Sequence, residues 1–143
     1  MRMVICAACA VHCRHNTLTG GPPFARYLPQ AKTYERCMGL GPGLYVPKEP
    51  IDPDSKLTLS IRRAGEEIFV ESQHIRDMKR TLPDLASWLF RECAFPHGAF
   101  LSTGTSIIPE ETFTLQVEDV VNITIDNIGT LSNVVQKRPE HKL

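Results

Sequence analysis

The first 34 residues contain no aspartate or glutamate. The first acid is Glu35, and all sixteen acidic residues follow from there. The same stretch carries Arg2, Arg14, Arg26 and Lys32, so the formal charge is +4 over residues 1–34 and −4 over residues 35–143. A hard divalent cation takes oxygen ligands, commonly one or two carboxylates, and residues 1–34 offer none. The two halves sum to zero net charge. With only four scattered cations, the basic stretch makes no footprint for nucleic acid. Long apolar runs are also lacking. Val4 to Val11 is apolar but far too short to cross a bilayer. As a signal-peptide core it has a single charged lead, Arg2, and meets His12 to His15 at once. Repeats and low-complexity runs are missing as well. The five cysteines are an odd, unevenly spaced set, which fits reduced thiols in a cytoplasmic protein better than a disulfide framework.

What remains is one domain's worth of chain, 143 residues, enough to bury a core. Gly20-Gly-Pro-Pro23 marks a loop within residues 14–26. Pro29 disfavours helix in the residue before it, so residues 27–31 are expected extended. Three glycines and three prolines between Gly39 and Pro50 predict irregular or edge-strand structure. Lys56 to Arg62 alternates with period two and predicts a strand with Leu57, Leu59 and Ile61 inward. A turn at Ala64-Gly65-Glu66 and a return strand over Glu67–Glu71 complete a hairpin.

Thr81 is a good N-cap, Pro83 suits a first turn and Asp84 nearly completes a capping box. Leu82, Leu85, Trp88, Leu89 and Cys93 then form one apolar stripe, predicting a helix over about 82–93. Strands are expected over Ala99–Thr103, Asp119–Ile125 and Thr130–Gln136. The pattern is α+β, rich in β, with one main helix.

Three motifs occur in order. Tyr27-Leu-Pro-Gln-Ala-Lys-Thr-Tyr34 is followed by Gly39-Leu-Gly-Pro42. Thr103-Gly104-Thr105 ends a predicted strand. Val117-Glu-Asp-Val-Val121 then leads to Ile125-Asp-Asn-Ile-Gly-Thr-Leu-Ser-Asn-Val134. This order resembles the C-terminal catalytic domain of the fumarylacetoacetate hydrolase family, over roughly residues 20–136, and most of all the branch that dehydrates 2-keto-3-deoxy sugar acids. Glu118 stands where that family usually has glycine.

The resemblance implies a mixed β-sandwich roll and a homodimer. It also implies a metal-dependent hydrolase or lyase acting on a 2-keto acid, by dehydration of a 2-keto-3-deoxy sugar acid or by C–C bond hydrolysis, with Mg²⁺ or Mn²⁺ as cofactor. In the family the metal carboxylates precede the lysine segment. Their lack here leaves three explanations: a fragment, a start other than the ancestral one, or a lost metal site. The alternative function is therefore a catalytically inactive remnant or dimerisation module. Residues 1–20 do not resemble the family and are expected to form an atypical segment, with a partial catalytic domain over 21–136 and a solvated tail over 137–143. A shifted reading frame would account for the first segment.

Lys32 is the candidate catalytic residue. By resemblance its ammonium polarises the substrate's keto or enolate oxygen, stabilising charge as it develops. Taken alone it is an ordinary surface lysine. Thr105 matches the residue that binds the substrate carboxylate through hydroxyl and backbone N–H, and Gly104 permits close approach; a plain strand-end turn is the bland reading. In an extended segment Gln30, Lys32 and Tyr34 share one face, adding an amide and a phenol to the substrate pocket, although Tyr34 suits a core equally well. His97, in a loop before glycine, reads as polar surface. Cys6, Cys9, Cys13 and His15 are the right ligand types for tetrahedral zinc, but four ligands within ten residues are compressed beyond the usual two-knuckle spacing. Loss of N-terminal strands would leave unpaired edges and apolar faces, which predicts association rather than a clean monomer.

Overall fold

A computed structural model describes residues 5–10, 38–104, 107–110 and 112–136. Its strands are β1 (Ile5–Ala10), β2 (Met38–Tyr45), β3 (Lys56–Arg63), β4 (Glu66–His74), β5 (Val120–Ile125) and β6 (Gly129–Val134), with helix α1 (Leu82–Leu89) between β4 and β5. Four strands form an antiparallel sheet in the order β4-β3-β5-β6, and β1 pairs antiparallel with β2 in a second, two-stranded sheet. The expected α+β, β-rich architecture with one main helix is what forms.

The hairpin at Ala64-Gly65 is dictated locally. Arg63 pairs with Glu66, leaving a two-residue loop whose members both have positive φ, 51° and 86°. That is the primed turn whose twist matches the flanking strands. Period-two alternation then divides the sheet. On one face Ile61, Val121, Ile125 and Leu131 are buried, with Leu57 and Leu59 packed against them. The other face is hydroxylic. Thr58 bonds Ser72 at 2.9 Å, and Thr124 bonds Thr130 at 2.8 Å. At the far end Asp126 ties the β5–β6 turn to β3: the Lys56 amide donates to its carboxylate at 2.8 Å, and its own amide donates to the Lys56 carbonyl.

Edge strand β2 lies against β6 on the apolar face, and its glycines make this possible. A Cβ on Gly39 would stand 2.6 Å from Asn133 Oδ1, and one on Gly41 would stand 3.3 Å from Leu131. Asn133 is half-buried, and its side chain would have to shift to make room. Gly39→Ala is therefore expected to destabilise the protein by about 1–3 kcal/mol through overpacking, read as a lowered urea midpoint with unchanged slope.

Two sequence expectations fail here. The helix stops at Leu89 rather than near Cys93, because Phe90 leaves helical geometry and packs edge-on against Phe95 at 5.5 Å. Thr81 caps it as expected, its hydroxyl accepting the Asp84 amide at 3.3 Å. Its buried residue is Ala86, while Trp88 is exposed beneath the Arg91 guanidinium. At 3.6 residues per turn, Trp88 falls roughly a third of a turn off the Leu82–Ala86–Leu89 line. The second failure is the strand at 99–103. The segment has no ladder partner among the described residues, and Phe100 and Leu101 remain exposed.

Candidate functional site

Of the five residues singled out for the substrate pocket, Gly104 lies in the described part. It is exposed, with φ 77°, and nothing lies within 4 Å of the place a Cβ would occupy. Thr103 precedes it, its hydroxyl 3.4 Å from the Gly104 carbonyl. That left-handed conformation is one glycine adopts freely. Lys32, Gln30, Tyr34 and Thr105 lie outside the described residues, so their expected convergence does too. Cys6 and Cys9 fall in β1, and Cys13 and His15 lie outside the described residues. His97 is exposed in its loop.

The segment between Gly104 and β5 is held by a charged pair. Asp119 has no exposed surface; Arg63 covers it, itself about one-third exposed. Arg63 Nε donates to one carboxylate oxygen and Nη2 to the other, both at 2.8 Å. The Gln116 amide adds a third bond at 2.7 Å, and Arg63 Nη2 also donates to the Thr114 carbonyl at 2.9 Å. These bonds, led by the Arg63 side chain, hold the Asp119 carboxyl below the usual carboxylate range against the opposing effect of burial. Sequence reasoning passed over this pair, yet one signal was available. Arg63 continues the inward row Leu57, Leu59, Ile61, and a charge on that face requires a partner.

Beside it sits Glu118. The Asp119 amide donates to the Gln116 carbonyl at 3.2 Å, closing a turn in which Glu118 has φ 73°. A left-handed residue in the third position of a turn favours glycine, which accounts for the glycine usual there in the resembling family. Glutamate in this conformation costs about 1–2 kcal/mol, partly offset by the greater unfolded-state freedom of glycine. Glu118→Gly is expected to raise stability by about 0.5–1 kcal/mol, measured by thermal or urea unfolding.

No group of three or more His, Cys, Asp or Glu side chains among the described residues is arranged to hold a metal ion. Asp119 is committed to Arg63. The described residues therefore do not fit the divalent cation that the resemblance implies. Open hollows occur among the described residues. One, of about 490 Å³, is lined by Arg62, Glu118, Asn122 and Ser132 among others; another is lined by Ile68, Phe69, Glu110, Thr112 and Phe113. Neither involves Thr103 or Gly104. No helix among the described residues is long and apolar enough to cross a membrane.

Comparison with known proteins places these features. The probable 2-keto-3-deoxyxylonate dehydratase of Haloferax volcanii is 43% identical over 110 residues, 76% of this chain and 38% of that protein. The 2-dehydro-3-deoxy-D-arabinonate dehydratase of Saccharolobus solfataricus is 41% identical over 113 residues, 78% of this chain and 38% of that protein. A solved 2-keto-3-deoxy-D-arabinonate dehydratase, complexed with magnesium and 2,5-dioxopentanoate, superposes with a TM-score of 0.73 at 38% identity, covering 80% of this chain and 41% of that one. The chain thus spans about two-fifths of the length of the relatives it matches. Residues 23–136 match the family model described as fumarylacetoacetate (FAA) hydrolase C-terminal. With that match covering most of its length and the Asp119-to-Val134 motif folded as a strand, a turn over residues 126–128 and a returning strand from Gly129, this chain belongs to the fumarylacetoacetate hydrolase family.

Proposed function

We propose that this chain carries part of the active site of a 2-keto-3-deoxy sugar acid dehydratase. The reading is carried by the two sugar-acid dehydratases that are 41–43% identical over three-quarters of the chain. In it, the Thr105 hydroxyl and the backbone beside Gly104 bind the substrate carboxylate. The Lys32 ammonium stabilises negative charge on the C2 oxygen as a proton leaves C3. Gln30 and Tyr34 complete the polar wall. That the solved relative is complexed with magnesium supports a divalent cation, magnesium or manganese, in the complete site. No ligand for it is assigned in this chain, and the general base is likewise unassigned.

The direct test incubates the protein with 2-keto-3-deoxy pentonates and a range of Mg²⁺ or Mn²⁺ concentrations and follows loss of substrate. Saturable loss is expected. No turnover at any metal concentration overturns the reading for this chain.

The lack of a carboxylate cluster among the described residues favours a second reading, a remnant serving as a dimerisation module. Thermal unfolding separates the two. A metal bound at 100 times its Kd adds about 2.7 kcal/mol of stability by mass action, whereas the remnant shows no shift.

A further inference from the structure

The hollow beside Glu118 opens on the outer, hydroxylic face of the four-stranded sheet. Arg62 of β3 pairs with Val120 of β5, and Asn122 pairs with Ser132 of β6, all on that face. Glu118 and Asn122 flank Val120 along the chain. The hollow therefore holds one cation, one anion, an amide and a hydroxyl around a half-buried valine. The two charges do not neutralise each other, since no ion pair joins Arg62 and Glu118. Arg62 Nη2 donates to the Gly65 carbonyl at 2.7 Å, which steadies the guanidinium and leaves it further N–H groups to donate. Among the described residues, the side chains of Glu118, Asn122 and Ser132 make no hydrogen bond. Glu118 is also costly where it stands, at φ 73° in a position that favours glycine. Backbone strain of this kind gathers at functional sites, and no bond to a described side chain rewards it within the fold.

We propose that this hollow binds a small zwitterion, an α-amino acid, with Glu118 holding the ammonium and Arg62 the carboxylate. Such a ligand carries opposite charges on either side of one carbon. It is matched by an anion and a cation that share a hollow without pairing, and each contact is a charge-assisted hydrogen bond. The Asn122 amide and Ser132 hydroxyl offer donors and acceptors to a polar side chain, which favours glutamine over an aliphatic amino acid. Val120 takes the methylenes. A sugar acid would satisfy Arg62 but give Glu118 only hydroxyls. Arg62 and Glu118 are both exposed, so binding is weak, with a Kd on the order of 1 mM. The proposal does not rest on the dehydratase reading, because the hollow involves none of the residues assigned to that site.

The test titrates the isotope-labelled protein with L-glutamine through the millimolar range and follows its amide NMR signals. Saturable shifts are expected at Gly65, Val120 and Asn122. N-acetyl-L-glutamine, which lacks the ammonium, should bind about tenfold more weakly or worse, and so should L-glutamine methyl ester, which lacks the carboxylate, and D-gluconate. Glu118→Gly separates binding from folding. It relieves the strained turn and should melt no lower than the native protein, yet weaken glutamine by about tenfold or more. Arg62→Gln should weaken it to the same degree. Ser72→Ala, on the same face outside the hollow, should leave it within about twofold. Lack of a saturable shift overturns the proposal, as do shifts confined to other parts of the protein. Native affinity in Glu118→Gly overturns it too, and gluconate binding as tightly as glutamine overturns the assignment to a zwitterion.

Discussion

Replacing Asp119 with asparagine is expected to lower the unfolding free energy by about 2–3 kcal/mol at neutral pH. The carboxylate is covered, accepts two bonds from Arg63 and one from the Gln116 amide, and has no exposed surface. Asparagine keeps the shape and one acceptor but loses the charge that matches the guanidinium. A deeply buried pair would lose more. Arg63 reaches water, so its charge is rehydrated once its partner is gone.

The pH dependence follows with a definite sign. The folded carboxyl is held below its unfolded value of about 3.9. Its contribution is therefore fully present above that value and is lost as pH falls through the folded pKa. The stability gap between the native protein and Asp119→Asn should be constant from pH 5 to 8 and close below about pH 4. A gap that persisted once the folded carboxyl is protonated would show that something other than its charge holds the 113–119 segment.

The second large effect concerns chemistry. Under the dehydratase reading, Lys32→Met removes the cation that meets the developing enolate. Loss of one such electrostatic donor costs about 10²–10³ in kcat. Thr105→Val should instead act mainly through KM, because the carboxylate is bound equally in ground and transition states. Steady-state kinetics on a 2-keto-3-deoxy acid checks both. Near-native turnover by Lys32→Met would remove the lysine from the mechanism.

Much of this architecture was legible in the chain. The alternation of Lys56–Arg62, the Ala64-Gly65 turn and the Thr81 cap each act within a few residues, and each appears where local rules put it. So does the Asp119–Val134 pair of strands. The family motifs pointed to the same domain that the comparisons identify. The candidate pocket was legible only by resemblance: Lys32 and Thr105 are seventy-three positions apart, and no local period brings them together.

Other features depended on distance. Ala99–Thr103 has strand composition but no neighbouring strand to bond with among the described residues, and a strand exists only through its ladder. Helix α1 ends where Phe90 meets Phe95, a contact that stripe counting does not contain. The glycines of β2 were expected in irregular or edge-strand structure, and what the sequence did not reveal is that they serve a close approach to Asn133 and Leu131 nearly a hundred residues away. Arg63 and Asp119 are each unremarkable as letters. Their bond across fifty-six positions turns a charge on an apolar face into an anchor. Sequence alone determined the turns, the cap and the alternation, because those energies are settled among neighbouring residues. Packing partners, helix length and charge pairing were decided by the tertiary structure, because each is an energy between groups that only folding brings within reach.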